Sequence, residues 1–181
     1  MGHDSISLII RTLGELYVFI VIMRFMLQLA NADYYNPISQ AVVRFTQAPI
    51  SILQKFLPRV GRVDLSSLAL AFIVKALIVL ALFTIAGAQL DAVSIAVYTV
   101  AGTIYSILNI YFYAVLASVI ISWIAPDSYH PAPQLIQQVT APLYRLVGKV
   151  IPPIGGLDLS PIFIFLAIQI IQSQLAPMAY F

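Results

Sequence analysis

The chain has 181 residues, of which 61% are hydrophobic and only 9% charged, and its mean hydropathy is +0.98. A soluble domain is about half apolar and about a quarter charged, so this chain has too little charge to cover a globule and is interpreted as an integral membrane protein. The net charge of +2 is too small to indicate nucleic-acid binding, and the lack of cysteine, with only His3 and His130 as histidines, excludes disulfides, thiolate sites and histidine-rich metal sites.

Four apolar stretches are long enough to cross a bilayer core, which needs about 20 residues of helix. The first begins near the N-terminus, where "MGHDSIS" lacks a basic n-region, so we expect an uncleaved span and not a signal peptide. The third stretch is too long for one straight span, and its residues 92–99 are expected to extend the helix beyond the membrane. The predicted spans are 6–29, 65–88, 100–125 and 159–181.

One turn-rich segment occurs twice. "LPRVGRVDLSSL" at 57–68 returns as "IPPIGGLDLSPI" at 151–162. At a shift of 94, the identical residues of the first copy are Pro58, Gly61, Asp64, Leu65 and Ser66. The same shift maps the first span onto the third and the second onto the fourth. The sequence therefore predicts two tandem units with the same orientation, residues 1–91 (the first unit) and 92–181 (the second unit).

An amphipathic segment lies between the two spans of each unit, at 38–57 and 133–151. Its apolar residues recur at spacings of three, four and seven, which is helical periodicity. Pro49 and Pro142 lack an amide proton and clash with the preceding turn, so each helix is expected to be broken or kinked there. Because basic residues lie on the polar side, these helices are predicted to rest in the membrane interface.

The repeated motif is expected to return the chain from the interface to the bilayer. Pro58 and Pro152 are predicted to stop the amphipathic helices. Gly61 and Gly155 are predicted to form turns with positive φ.

The end of the motif is suited to the start of a span. Ser66 and Ser160 are candidate N-cap residues. Asp64 and Asp158 lie beside the same helix starts, where the helix dipole favours negative charge. A second interpretation makes the two aspartates cation-attracting groups at two cytoplasmic mouths, and the sequence leaves both open.

Basic residues predict the orientation in the membrane. Six of the nine lie in the two long connections, so both connections are expected to be cytoplasmic and both termini outside. Arg24, near the inner end of the first span, agrees with this orientation, whereas Arg11, near the outer end, does not. The six are Arg44, Lys55, Arg59, Arg62, Arg145 and Lys149.

Ionisable groups inside spans are costly and by default suggest function. At 1.5 Å per residue, Glu15 and Lys75 lie about 20 Å and 15 Å from the inner ends of neighbouring antiparallel helices, so they are predicted to pair. The positions 94 residues later hold Asn109 and Gln169, predicted to form a matching amide pair. The charged pair either serves function or, like the amides, only holds helices together.

Small residues recur along the third span, at Gly102, Ser106, Ala114, Ser118 and Ser122. Such a seam lets helices approach closely. It is expected to pack the two units together or to bind a second copy of the chain.

The doubled order of these motifs resembles the YggT family of small bacterial membrane proteins. Each unit runs from a span through an amphipathic helix with Ala-Pro and then P-x-x-G-x-x-D-x-S to a second span, and "RFMLQL" and "SVIISW" are similar to the family's helix ends. The resemblance covers nearly the whole chain. It implies a bacterial inner-membrane protein with plastid relatives, linked to osmotic-shock tolerance and, in some lineages, to cell division or envelope organisation. It supplies no catalytic residues.

The predicted fold is therefore an all-α membrane protein with four transmembrane helices in two tandem repeats. One hypothesis is a small channel, a transporter or its regulator, acting in ion or osmolyte balance. The other is a non-transporting organiser that binds cell-division or envelope partners through its amphipathic helices. The expected partners are the lipid bilayer, monovalent ions, and further copies of the chain or other membrane proteins. No enzymatic activity, catalytic residue, metal site or cofactor is expected, because no nucleophile–base arrangement, phosphate loop or metal cluster is visible.

Overall fold

The computed structural model describes residues 2–151 and 158–179. This part of the chain contains six helices and one short hairpin. In chain order they are α1 (Gly2–Ala30), α2 (Pro37–Leu53), β1 (Arg59–Val60), β2 (Val63–Asp64), α3 (Leu65–Ile85), α4 (Ala92–Ile124), α5 (Pro131–Gly148) and α6 (Ser160–Ala179).

Four of these helices, α1, α3, α4 and α6, are long and apolar enough to cross a membrane, and we call them the spans. All four predicted spans are therefore present as helices. α4 is continuous over 33 residues, about 50 Å, which exceeds a bilayer core of about 30 Å. Its first turns are the extension that the sequence predicts.

Aspartates mark the starts of two spans. Asp64 accepts a hydrogen bond from the Ser66 amide and caps α3. Asp91 does the same for α4 by accepting from the amides of Val93 and Ser94. Hydrogen bonds from Ser94, from its hydroxyl above all, hold the pKa of the Asp91 carboxyl below its ordinary value.

The connecting helices α2 and α5 each begin with a proline in the first turn after a polar cap. The Asn36 side chain caps α2, and His130 Nδ1 accepts from the Ala132 amide at the start of α5. Both helices continue through their internal prolines, Pro49 and Pro142, so the predicted break is absent. A proline kink there stays a prediction.

The helix end predicted at Pro58 is wrong. α2 stops at Leu53, and the chain then makes a turn over residues 54–57. The residues that follow form a two-stranded antiparallel hairpin in which Arg59 pairs with Asp64 and Val60 with Val63. A two-residue hairpin loop needs positive φ, and Gly61, at φ +60°, supplies it as predicted. Pro152 and Gly155, the second-unit counterparts, lie outside the described residues.

The spans pack in the order α1, α3, α4, α6. α3 packs on α1, α6 packs on α4, and α3 and α4 join the two units. α1 also contacts α4 and α5. The core lies where these helices meet, and its fully buried side chains include Val18, Val21, Ile22, Met26 and Val115.

α2 and α5 lie at the same end of the spans, which we call the connection side. Asn36 Nδ2 donates to the Pro131 carbonyl at 2.8 Å, and the Asp33 amide donates to Gln138 Oε1 at 2.9 Å. In α5, Leu135 and Val139 are buried in the core. The apolar side of α5 is thus turned toward the spans and not wholly toward lipid.

Candidate functional site: a polar cavity between the two units

An ion pair lies in the middle of the spans. Lys75 Nζ on α3 is 2.6 Å from Glu15 Oε1 on α1, so the contact expected from their depth is present. The Lys75 side chain is only 5% exposed, whereas the Glu15 side chain is 40% exposed. The partly exposed carboxylate therefore neutralises an ammonium that is almost fully buried, which offsets part of its desolvation cost.

Lys75 also binds the second unit. Its Nζ donates to Ser106 Oγ on α4 at 3.2 Å, and Ser106 in turn donates to the Gly102 carbonyl at 2.9 Å. Gly102 lies against the lysine stem, where a Cβ atom would be 2.5 Å from Lys75 Cε. Two residues of the small-residue seam, Gly102 and Ser106, thus pack the two units together, one of the two roles expected from the sequence.

A cavity of about 290 Å³ opens beside this ion pair. Three of its polar lining residues come from α4, in the second unit, and three from α1 and α3, in the first. Leu82 and Arg11 also line a neighbouring cavity of about 450 Å³ toward the N-terminal end of α1, with Asp4 and Ser7. The six polar residues of the first cavity are Arg11, Glu15, Lys75, Tyr105, Ser106 and Asn109.

The predicted amide pair is wrong. Asn109 lines the cavity beside Glu15 and Lys75, whereas Gln169 is exposed on α6, and no hydrogen bond joins the two amides in the described part of the chain. The reason is the packing of α6. Its buried side chains, Ile164 and Ile168, turn Gln169 away from the bundle. The ion pair of the first unit therefore has Asn109 of the second unit beside it, and the second unit has no corresponding pair among its described residues.

The aspartates of the repeated motif act as helix caps. Asp64 is 2% exposed and accepts hydrogen bonds from the Ser66 amide and the Ser67 hydroxyl. Asp158 accepts from the Ser160 amide at 2.9 Å in the same way. These contacts favour the structural interpretation over two cation-attracting mouths.

The prediction that Ser66 is itself the N-cap is wrong. Asp64 takes that place, and the Ser66 hydroxyl instead donates to the Leu57 carbonyl at 2.9 Å, which ties the hairpin to the end of α2. Ser160 likewise is the first residue of α6, with Asp158 before it. Aspartate is as good a cap as serine, and the sequence pattern D-x-S did not decide between them.

Arg24 joins the first span to α2. Its side chain is 4% exposed and donates to Thr46 Oγ1 at 2.9 Å, to Gln47 Oε1 at 3.0 Å and to the Val43 carbonyl at 3.4 Å. A guanidinium with several fixed donors suits such a joint. The sequence placed Arg24 near the inner end of the span but did not show that it holds α2.

In the second unit, the corresponding contact between the first span of the unit, α4, and the connecting helix α5 is made by hydroxyl groups. Ser118, 94 residues after Arg24, hydrogen-bonds Tyr144 on α5 with its Oγ 2.8 Å from the phenol oxygen. Burial raises the pKa of the Tyr144 phenol, and the bond to Ser118 lowers it by a smaller amount. The two units therefore differ in charge at the same place.

The sequence did not predict that Ser106 and Tyr105 line the cavity. The only signal for Ser106 was its place one turn from Gly102 in the small-residue seam, which predicts close packing but not a lysine partner. Among the described residues, no group of three or more histidine, aspartate or glutamate side chains is placed to hold a metal ion.

The fold and the cavity define a class, that of membrane-associated helical proteins with four candidate spans and a polar cavity between them. The CCB3/YggT family model matches residues 4–85 and 97–179, and the chain belongs to this family. The two matched segments correspond closely to the two predicted units.

Similar proteins occur in several bacteria. A Pseudomonas aeruginosa protein is 40% identical over 166 residues, 91% of this chain and 84% of its own length. A Vibrio alginolyticus protein, named for its place in the proC 3′ region, is 34% identical, covering 92% of this chain and 90% of its own. The YggT protein of Escherichia coli K12 is 29% identical, covering 96% and 90%. No solved structure matches the chain.

Proposed function

We propose that this protein supports ion or osmolyte balance in the bacterial inner membrane, as a small channel, a transporter or a regulator of one. The proposal includes the predicted orientation, with both termini outside. In it, the cavity beside Glu15 and Lys75 is where a small charged solute, such as a monovalent ion, is recognised.

The observation that supports this proposal is the placement of the ion pair. Charged residues within spans usually face a water-filled cavity and mark the paths of ions or polar solutes. Glu15 and Lys75 line such a cavity with a hydroxyl and an amide of the second unit. The cavity is large enough for several water molecules.

The geometry suggests how the site would work. The Glu15 carboxylate is the more exposed partner, so a cation entering the cavity competes with Lys75 for its oxygens. Release of Lys75 from Glu15 would loosen the contact with Ser106 across the two units. Because four spans are few for a pore, the proposal requires assembly of several copies, and the exposed Gln169 on the outlying helix α6 is suited to that assembly.

The test is solute flux through reconstituted membranes. Purified full-length protein in liposomes is expected to carry Na⁺, K⁺ or protons, or to release a small neutral osmolyte, faster than protein-free liposomes. Equal rates for every solute in both preparations would contradict a channel or transporter. A regulator would then still show a solute-dependent increase in the reactivity of Lys75 toward amine-reactive reagents, because a cation on Glu15 releases the buried lysine from its partner.

A second function, that of a non-transporting organiser, is favoured by one surface of α2. Ile38, Phe45 and Ile52 are spaced seven apart, lie on one side of the helix and are exposed, with Phe45 68% exposed. In this alternative they rest in the membrane interface and bind cell-division or envelope partners.

Photo-crosslinking in native membranes tests the alternative. A photoreactive residue at Phe45 is expected to give protein adducts, while one at Tyr113, an exposed position in the middle of α4, gives only lipid adducts. Protein adducts of the same yield at both positions, or at neither, would count against a specific organiser surface.

A further inference from the structure

A second polar pocket, of about 420 Å³, lies at the connection side of the first unit. It is separate from the cavity beside Glu15 and lies between the end of α1, the start of α2 and the hairpin. Its polar lining residues include Arg24, Gln28, Tyr34, Ser39, Gln47 and Arg59.

Three buried polar atoms in this pocket have no partner among the described residues. They are Arg24 Nε, Gln28 Oε1 and Ser39 Oγ. Arg24 and Ser39 are each only 4% exposed. Buried polar groups nearly always have a hydrogen-bond partner, so three unpartnered atoms in one pocket indicate that a polar ligand completes it.

The charge of the pocket favours an anion. Arg24 and Arg59 both line it. Asp64 interacts electrostatically with Arg24, but one carboxylate offsets only one of the two guanidinium charges, so the pocket keeps an excess of positive charge. Guanidinium groups bind phosphate oxygens with matched, fixed donors, and a serine hydroxyl adds one more.

The pocket lies near the connection-side end of the first span, where lipid headgroups are expected if α1 crosses the membrane. Arg24 is six residues, about 9 Å, from Ala30 at the end of α1. The walls formed by Tyr34, Val43 and Gln47 are shared with an open groove along α2 that adds Arg44 and the exposed Phe45. A basic pocket between helices at this level is typical of anionic-lipid sites.

The second unit supplies an internal comparison. At the place that corresponds to Arg24 it has Ser118, and the described residues lining the pocket there include Asp158 but no arginine or lysine. The described part of that pocket therefore lacks the positive charge that would hold an anion. Within the described residues, the basic pocket occurs in the first unit and not at the corresponding place in the second.

We propose that the pocket lined by Arg24, Ser39 and Arg59 binds a phosphate group, such as that in the headgroup of an anionic phospholipid. Arg24 Nε and the Ser39 hydroxyl contact the phosphate inside the pocket, and Arg59 covers it from the hairpin. This site is independent of solute recognition beside Glu15.

The test compares two arginines of the same hairpin. Arg59 lines the pocket, whereas Arg62, which is also exposed, does not. Native mass spectrometry of the detergent-purified full chain, titrated with phosphatidylglycerol or phosphatidylcholine, measures the preference for the anionic lipid. Arg59→Gln is expected to weaken phosphatidylglycerol binding about fivefold, while Arg62→Gln changes it by less than about twofold.

A second variant tests the interior of the pocket. Ser39→Ala keeps the charge and removes one unpartnered hydroxyl, and it is expected to weaken the same binding while the thermal midpoint of unfolding stays within error.

Inorganic phosphate distinguishes recognition of the phosphate group alone from recognition of the whole lipid. Competition by millimolar phosphate would show that the pocket recognises the phosphate itself, and its failure to compete would show that the acyl chains are needed as well. Equal binding of both lipids, or equal loss in Arg59→Gln and Arg62→Gln, would overturn the proposal.

Discussion

Gly102 and Lys75 touch where the two units meet. A Cβ atom at Gly102 would lie 2.5 Å from Lys75 Cε, well inside van der Waals contact, and the lysine ammonium is held by Glu15 and Ser106. Lys75 therefore reaches the cavity only because α4 presents a glycine at this level.

Gly102→Ala is expected to destabilise the protein. The added methyl group must displace a buried lysine from its partners, and overpacking of this kind costs about 1–3 kcal/mol. The thermal midpoint of the purified protein is the measurement. Gly148→Ala is the matched control, because nothing lies within 4 Å of a Cβ atom there. A drop of the same size in both variants would contradict the close contact.

The two partners of the ion pair are expected to respond unequally to substitution. Glu15→Asn leaves a buried ammonium without its counter-charge, which costs about 3–5 kcal/mol. Lys75→Gln leaves a carboxylate that is 40% exposed and lines the cavity, so the expected loss is smaller, about 1–3 kcal/mol. The double variant Glu15→Asn/Lys75→Gln strands no charge and is expected to recover most of the folded yield. Additive losses would show that the two residues do not act as a pair.

Arg24 is expected to control the opening of α2. Arg24→Ala removes three hydrogen bonds to Val43, Thr46 and Gln47, which together are worth about 1 kcal/mol or more. Amide hydrogen exchange in α2 should therefore become at least about fivefold faster. Exchange in α5 is the internal control, and it should not change. Ser118→Ala should instead speed exchange in α5 and leave exchange in α2 unchanged, because Ser118 hydrogen-bonds Tyr144 of α5. Unchanged hydrogen exchange in α2 would show that Arg24 does not hold α2 in place.

Asp91 is expected to titrate below its ordinary range. Its hydrogen bond from the Ser94 hydroxyl favours the charged form, so the folded-state pKa is lower than the unfolded one. A depressed carboxylate pKa contributes stability that is present above the unfolded pKa, about 3.9, and is lost as the pH falls through the folded value. Ser94→Ala should raise the pKa of Asp91 toward the ordinary value, as measured by carbon-13 NMR of labelled aspartate. No change on substitution would show that the hydroxyl bond is not the cause.

The four spans and the contact between Glu15 and Lys75 were predictable from the sequence because both depend on length and depth alone. A helix rises 1.5 Å per residue, so two positions on neighbouring spans can be compared without knowing any side-chain packing. The hairpin at Arg59–Asp64 was not predictable in this way. Its strands have two residues each, too few for a periodic pattern.

The error over Asn109 and Gln169 has a different cause. A shift of 94 relates positions in the sequence, but the two units do not have the same neighbours. α4 lies between α3 and α6, so Asn109 faces the first unit's charges, while α6, packed on α4 and α5, leaves Gln169 exposed. Sequence equivalence predicts the same helix face but not which helix covers it.

The most direct test of the proposed solute site is flux through liposomes containing the double variant Glu15→Asn/Lys75→Gln, measured beside the parent protein at equal reconstituted amounts. The substitutions replace both charged groups with amides and leave no unpaired charge, so folding is expected to be preserved while the charged site is lost. The account predicts that protein-dependent flux falls to the level of protein-free liposomes. A folded double variant that carries the solute as fast as the parent would show that Glu15 and Lys75 only hold the helices together.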